Sequence, residues 1–462
     1  MFHNHETQQR YSGETARDDA SDTHITFDDA IPLLATGTSR SDGGGDMTPK
    51  TTSGVSPKLE LPQIEYLNGL RGLGALQVFL LHCRLGNFFD PIPIFYLLSG
   101  RVLCLSYLQR RDPAVLASAM LRRVFRILLP VLACSFLNWI FWATGLYHYG
   151  PIAWDTFPGW ESYVGAGWDA TLHIPTLVQS LIQPFHLLIG NYKRITYPRE
   201  VDWTLPHEMD GSWLVFMSVF VMTHFPDRKY LAYSILFVVL FLLQRWTSLF
   251  IVGLAMAEAS STTIRRWKDS PRYSAMFWFK YLLAVFVLGA LVTDAVTGAQ
   301  GNGTVFKSRI DKVIVFFVPT PEGELLGVNR KVPGFIEFQN AGSVMGILIL
   351  FLADTCLPIQ SFLEIAPIKF LGKIAFSLYL LHPIFIASLG AFVAVQIPVE
   401  MQGSKLGQII WATPTFVVTA FVSWLFSETV EKWSVLAGKK VETLMGKKAS
   451  HNLNTSNGQK EE

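Results

Sequence analysis

Two ionisable residues sit inside one apolar run, YLNGLRGLGALQVFLLH, which begins at Tyr66. Arg71 and His82 are eleven positions apart. At about 100° per residue that spacing ends about 20° past three full turns, so both side chains fall on one helical face. The helical rise sets His82 about 16 Å along from Arg71, about half way across a bilayer core. Ionisable groups in such a helix are costly and usually functional. Imidazole is the side chain suited to taking a proton from an alcohol near neutral pH. The plain alternative is a core histidine bonded to a neighbouring carbonyl.

Three further constellations bring ionisable groups against apolar runs. Arg123 and Arg126, in RVFRILLP, are spaced i, i+3 and share a face. Snorkelling arginines that anchor a helix end would look like this, and so would a phosphate clamp, because guanidinium meets phosphate in a bidentate way. Glu208 lies in WTLPHEMDGSW, close to Asp202, His207 and Asp210. A polar rim at the membrane interface accounts for Asp202 and Asp210, whereas Glu208 is set deeper against the apolar run and is the candidate buried acid. His382 lies in SLYLLHPIF, where Pro383 can kink a helix and free a carbonyl; structural and catalytic roles are both open to it. There is no HExxH, no G-x-S-x-G, no phosphate-binding glycine loop and no metal-ligand cluster, so no metal is expected. Cys83, Cys104, Cys134 and Cys356 all sit in apolar runs without a CxxC and read as buried free thiols.

Groups placed in this way need a membrane-embedded scaffold. Half of the 462 residues are hydrophobic and only 16% are charged, although both ends are polar. That composition points to an all-α, polytopic integral membrane helix bundle. A net charge of +2 gives no reason to expect nucleic acid as a partner. Residues 1–60 are rich in Ser, Thr, Asp and Gly and read as a disordered cytosolic tail. They lack a signal-peptide pattern, so insertion is expected from the first span. Apolar runs at about 67–86, 93–108, 124–144, 207–225, 230–243, 247–259, 279–296, 340–357, 374–396 and 407–427 make about ten transmembrane helices. Basic clusters at Arg110, Arg111, Arg122, Arg123 and Arg126, at Arg265, Arg266 and Lys268, and at Lys432, Lys439 and Lys440 place alternate loops and both termini in the cytosol. The membrane domain is then 61–430, and 431–462 is a basic cytosolic tail. Between the third and fourth runs, HIPTLVQSLIQPFHLLIG suits a short interfacial or re-entrant helix. The sequon at Asn302 falls in a non-cytosolic loop of this topology, where glycosylation is possible.

The blocks YLNGLRG with its later histidine, IFYLLSG, RVFRILLP, WTLP-x-E and SLYLLHPIF stand in the order of the membrane acyltransferase 3 family. Over about residues 64–430 the chain resembles a fungal member of that family. The resemblance implies a ten-helix integral membrane enzyme. It would move an acyl group, often acetyl, from acyl-CoA to a hydroxyl of a carbohydrate, lipid, peptide or small metabolite. Arg71 and His82 fall on the family's first-helix pair, Arg123 and Arg126 on its Arg-x-x-Arg pair, and Trp203, Leu205 and Glu208 on its Trp-x-Leu-x-x-Glu block. Two positions depart from the pattern. Asn68 stands where the family commonly has Asp, which removes a carboxylate partner for Arg71. Arg101 stands where an aromatic or aliphatic residue usually follows Ser-Gly; it would extend the donor-binding cations, bind a different acceptor, or neutralise a buried acid.

The expected mechanism docks acyl-CoA at the cytosolic face with its phosphates near Arg123 and Arg126. The pantetheine arm runs along the Arg71–His82 stripe. His82 takes the proton of the acceptor hydroxyl, and Glu208 orients or charges the imidazole, or holds the acceptor. A terpenoid or polyketide metabolite or a surface carbohydrate is the expected acceptor, and the endomembrane system or plasma membrane the expected location. The competing reading is a secondary transporter that uses Arg71, His82 and Glu208 as a proton relay. Against it, no pair of broken helices related by inversion is visible in the sequence.

Overall fold

The computed structural model describes residues 65–86, 88–157, 176–189, 198–259, 272–299 and 340–458. The N-terminal tail, Asn302 and the basic group Arg265, Arg266 and Lys268 lie outside the described residues. The described residues form helices and turns, with no strand among them. In chain order, α1 is Glu65–His82, α2 Pro91–Val102, α3 Leu105–Arg110 and α4 Pro113–Ala143. The short α5 (Tyr149–Thr156) and α6 (Leu177–Leu188) follow, and a 3-10 turn at Glu200–Trp203 leads into α7 (Thr204–Thr223). Next come α8 (Lys229–Leu242), α9 (Thr247–Ala259) and α10 (Arg272–Ala299). α11 (Asn340–Thr355) is bent by 98° against α12 (Leu357–Leu363). α13 (Ala366–Phe385) continues through a π-turn at Ile386–Gly390 into α14 (Ala391–Val395). In the same way α15 (Lys405–Phe426) continues through a π-turn at Ser427–Glu431 into α16 (Lys432–Gly458).

Four of the described helical stretches are long and apolar enough to cross a membrane: Pro91–Arg110, Pro113–Ala143, Ala366–Val395 and Lys405–Met445. The bent pair α11–α12 makes a fifth if it is one span. α8, with 14 residues, rises only about 21 Å against a hydrocarbon core of about 30 Å. Its residues Leu231, Ile235, Val238 and Leu242 are nevertheless exposed, as are Leu282, Val285 and Leu288 on α10 and Val417 and Phe421 on α15. Apolar faces this extensive on several helices are stable against lipid, not water, and the chain is a membrane protein.

Capping chemistry sets two boundaries that differ from the apolar pattern. Asp112 caps α4, its carboxylate accepting from the Ala114 N–H at 2.8 Å, and Pro113 opens the helix. The helix thus begins at Pro113, not near 124, and takes in Arg122 and Arg123 as well as Arg126. α1 ends early. Arg84 adopts a left-handed φ of 52°. Its N–H donates to the Leu81 carbonyl and the Leu85 N–H to the Leu80 carbonyl, both at 3.0 Å. These are the 5→2 and 6→1 bonds of a left-handed helix stop. Lys405 Nζ also donates to the Arg84 carbonyl, at 2.6 Å. His82 is therefore the last helical residue of α1 and does not lie half way along a spanning helix.

α1 runs parallel to α13, with Arg71 over Phe376 and His82 against His382. A Cβ on Gly72 would collide with the Gly372 backbone, and one on Gly372 with the Asn68 carbonyl. Two facing glycines let the backbones approach as small residues do between membrane helices. Two apolar cores flank this pair. One, around Phe79, Val131, Leu380 and Trp411, joins α1, α4, α13 and α15. The other, around Ile94, Leu97, Val215 and Phe250, joins α2, α7 and α9.

Candidate active site

Residues of both cores line a cavity of about 590 Å³, a volume within the range of small-molecule and cofactor sites. α1 contributes Asn68 and Arg71, α2 Phe95 and Ser99, and α4 Arg122, Arg123 and Arg126. α7 adds Thr204, Leu205 and Glu208; α13 adds Lys369, Lys373, Phe376 and Tyr379; the second π-turn and α16 add Glu428, Glu431 and Lys432. Seven cationic side chains face four acidic ones, counting Glu65, so the lining favours an anionic ligand.

The i, i+3 spacing on α4 does bring Arg123 and Arg126 to one wall. Arg123 pairs with Glu208 and donates from Nε to Ser212 Oγ at 3.0 Å. Ser99 Oγ lies 3.1 and 3.0 Å from the two Glu208 carboxylate oxygens. Arg123 and Ser99, not His82, are what the Glu208 carboxylate meets. Arg71 has its Cζ 6.0 Å from the centre of the Phe376 ring. Among the charges near Arg71 are the carboxylates of Glu431 and Glu208 and the guanidinium of Arg123. Glu431 accepts a hydrogen bond from Ser377, the neighbour of Phe376. Near the mouth, Glu65 pairs with Lys369 at 2.9 Å, and Glu428 bridges Lys373 and Lys432.

His82 and His382 are not among the residues that line the cavity. On their side the lining includes Phe95 and Tyr379, whose rings meet edge to face at 5.8 Å. The Tyr379 ring is 6.0 Å from that of His382, and His382 is 5.1 Å from His82, with the two imidazole planes tilted by 51°. The expected Arg71–His82 stripe is thus divided: the arginine lines the cavity, and the imidazole does not, lying instead against His382, which adjoins the Tyr379 wall. Tyr379 is fixed by its hydroxyl, which donates to the Val201 carbonyl at 2.8 Å and lies 2.9 Å from Thr204 Oγ1.

The structure keeps two further sequence candidates, Arg101 and Trp203, away from the cavity. Arg101 is buried, with Nε 3.3 Å from Asp354 Oδ2, and Tyr66 donates to the other Asp354 oxygen at 2.8 Å. Of the three roles open to it, it fills that of counter-ion to a buried acid, beside the α11–α12 bend. Trp203 packs its ring 5.8 Å from His207 and 6.0 Å from Trp246. Asp202, which the sequence suggests belongs to an interfacial rim, is completely buried in an ion pair with Arg199, and Arg199 also donates to Ser135. Burial pushes the Asp202 carboxyl up to about 6, against the opposing pull of Arg199. The i, i+3 spacing of Arg199 and Asp202 was a usable signal for that pair. Tyr379, three residues before His382 on the same face, was likewise legible; Ser99 and Glu431 depend on tertiary contacts and were not. All four cysteines are buried and free.

Compared with known proteins, the chain matches the family model described as an acyltransferase domain over residues 64–428. No curated protein and no solved structure matches it.

Proposed function

The chain belongs to this acyltransferase 3 family, and from that premise we propose that it is a multi-pass membrane O-acyltransferase that uses acyl-CoA, acetyl-CoA in the simplest case, as donor. The observation that carries the reading is the cation-rich cavity with a histidine pair adjoining its Tyr379 wall. In this reading Arg122, Arg123 and Arg126 face the phosphates of CoA. The pantetheine arm passes Arg71, and the thioester reaches His82 once Phe95 moves aside from Tyr379, which its hydroxyl holds in place. His82 takes the proton of the acceptor hydroxyl as its oxygen attacks the thioester carbonyl carbon. The C–O bond forms, the C–S bond breaks, and the CoA sulfur leaves with the proton His82 had taken. A thioester is already an activated acyl group, so the reading assigns no metal.

The same proposal gives the chain about ten spans with both termini cytosolic, a 1–60 tail, an acyltransferase domain at 61–430 and a basic tail from 431. Glu431 and Lys432 complete the cavity wall from the start of that tail. Asn302 is then on the far side of the membrane and open to glycosylation. The acceptor is a hydroxyl of a small terpenoid or polyketide metabolite or of a surface carbohydrate. The test uses the full chain in membranes, with acetyl-CoA and release of free CoA as readout, with water, a terpenoid alcohol or an oligosaccharide as acceptor. His82→Gln is expected to lower turnover by at least about 100-fold while acetyl-CoA still binds. Wild-type turnover in that variant would remove His82 from the chemistry. Gradient-driven solute uptake with no CoA release would instead favour a transporter.

A further inference from the structure

We propose that His382 is the positioning residue for His82: its Nε2 accepts the imidazole N–H of His82 and so leaves the other His82 nitrogen as the base. This rests on the reading of His82 as the base. His382 is 1% exposed, and its Nδ1 lies 3.2 Å from the Leu378 carbonyl. A carbonyl only accepts, so Nδ1 carries the ring hydrogen, and in the neutral ring Nε2 is left with a lone pair. That Nε2 is buried and has no hydrogen-bond partner. Native interiors rarely leave a buried acceptor unpaired.

Two polar rings lie against His382, those of His82 at 5.1 Å and Tyr379 at 6.0 Å between centres. The Tyr379 hydroxyl is committed to the Val201 carbonyl and to Thr204. The His82 ring is therefore the nearer polar ring, 5.1 Å between centres, and a rotation that turns its N–H toward Nε2 forms the bond. The backbone holds His382 firmly enough for this task. Pro383 has no N–H, so the Tyr379 carbonyl loses its helical donor, and the His382 ring lies against the carbonyls of both Leu378 and Tyr379. A ring pinned at one nitrogen presents the other in a fixed direction, as the support of a catalytic base requires. A carboxylate would also fix the tautomer, but Glu208 is held by Arg123 and Ser99. When His82 gains the substrate proton, its other N–H remains bonded to His382 Nε2, so no second proton transfer is needed.

The test compares His382→Gln, which returns an acceptor near the Nε2 position, with His382→Phe and His382→Leu, which do not. The full chain in membranes is assayed with acetyl-CoA, and water as acceptor, for kcat and KM. The apolar variants are expected to lose about 10- to 100-fold in kcat with KM for acetyl-CoA changed less than about twofold, and Gln to recover most of the loss. A merely structural role would shift KM or protein yield and would not distinguish Gln from Leu. Wild-type kcat in Phe or Leu overturns the proposal, and so does a Gln variant no better than Leu. If neither apolar variant accumulates, a folded Gln variant as slow as His82→Gln overturns it. Wild-type turnover in His82→Gln would instead overturn the reading of His82 itself.

Discussion

Arg71 could be singled out from the sequence because a cation in an apolar helix is rare, but its counter-charge could not. Position 68 offers only an amide, and Glu431 lies on a different element at the far end of the domain. Removing that charge with Glu431→Gln should destabilise the protein by about 1–3 kcal/mol, since Ser377 keeps an acceptor and only the negative charge is lost. Asn68→Asp returns a carboxylate one turn from Arg71 on the same cavity wall and should recover most of that loss. Thermal melts of the two single variants and the double variant measure the coupling; additive losses would show that Glu431 does not balance Arg71. A second buried pair gives a pH signature. The Asp202 carboxyl is raised to about 6 in the folded protein, above its ordinary value of about 3.9. A raised acid binds its proton more tightly when folded, so its contribution falls as pH rises through the window from about 4 to about 6. Arg199 opposes that rise, and losing it extends the window upward. Arg199→Met should therefore cost about 3–5 kcal/mol at about pH 7.5 and distinctly less at about pH 5. Equal losses at the two pH values would mean that Asp202 is not the group left uncompensated.

At the scale of elements, apolar runs locate most helices because burial in lipid or core demands a continuous apolar surface, but they do not locate helix ends. The beginning of α4 was written locally, in Asp112 and Pro113, yet Arg122 and Arg123 read as a loop when charge is weighed above capping. The end of α1 had a weaker signal. Its left-handed position is filled by arginine, where glycine is the usual occupant, and the Lys405 contact that supports it comes from another helix. Arg84→Gly should stabilise the protein by about 1 kcal/mol, the left-handed penalty of a side chain being about 1–2 kcal/mol, and Arg84→Val should destabilise it. A midpoint that falls for Gly would mean that contacts of the Arg84 side chain outweigh its backbone strain. The 98° bend between α11 and α12 lies at the end of the expected run, 340–357; Pro358, which opens α12, was a local signal for the break but not for the direction in which the chain turns.

For the whole molecule, composition and the order of five short blocks sufficed for the membrane setting and the family, and the i, i+3 arginines for one wall of the cavity. The division between cavity and histidines was hidden, because a shared helical stripe says nothing about what neighbouring helices insert between its members. Phe95 on α2 and Tyr379 on α13 line the cavity with Arg71, whereas His82 does not and lies against His382, which the Tyr379 ring adjoins. The charged mouth lies at the Lys369 and Lys432 end, and the histidines lie further along the same parallel pair of helices. A donor that enters by the charged end would leave the histidine end for the acceptor, so the two substrates would approach from opposite directions. The four native cysteines are buried, so an introduced thiol can be labelled against a low background. Lys432→Cys should react with a membrane-impermeant maleimide only on the vesicle face from which acetyl-CoA supports turnover, and acetyl-CoA should slow that reaction. Turnover supported from the opposite face, or labelling indifferent to acetyl-CoA, would separate this cavity from the donor and leave its cationic lining to another anion.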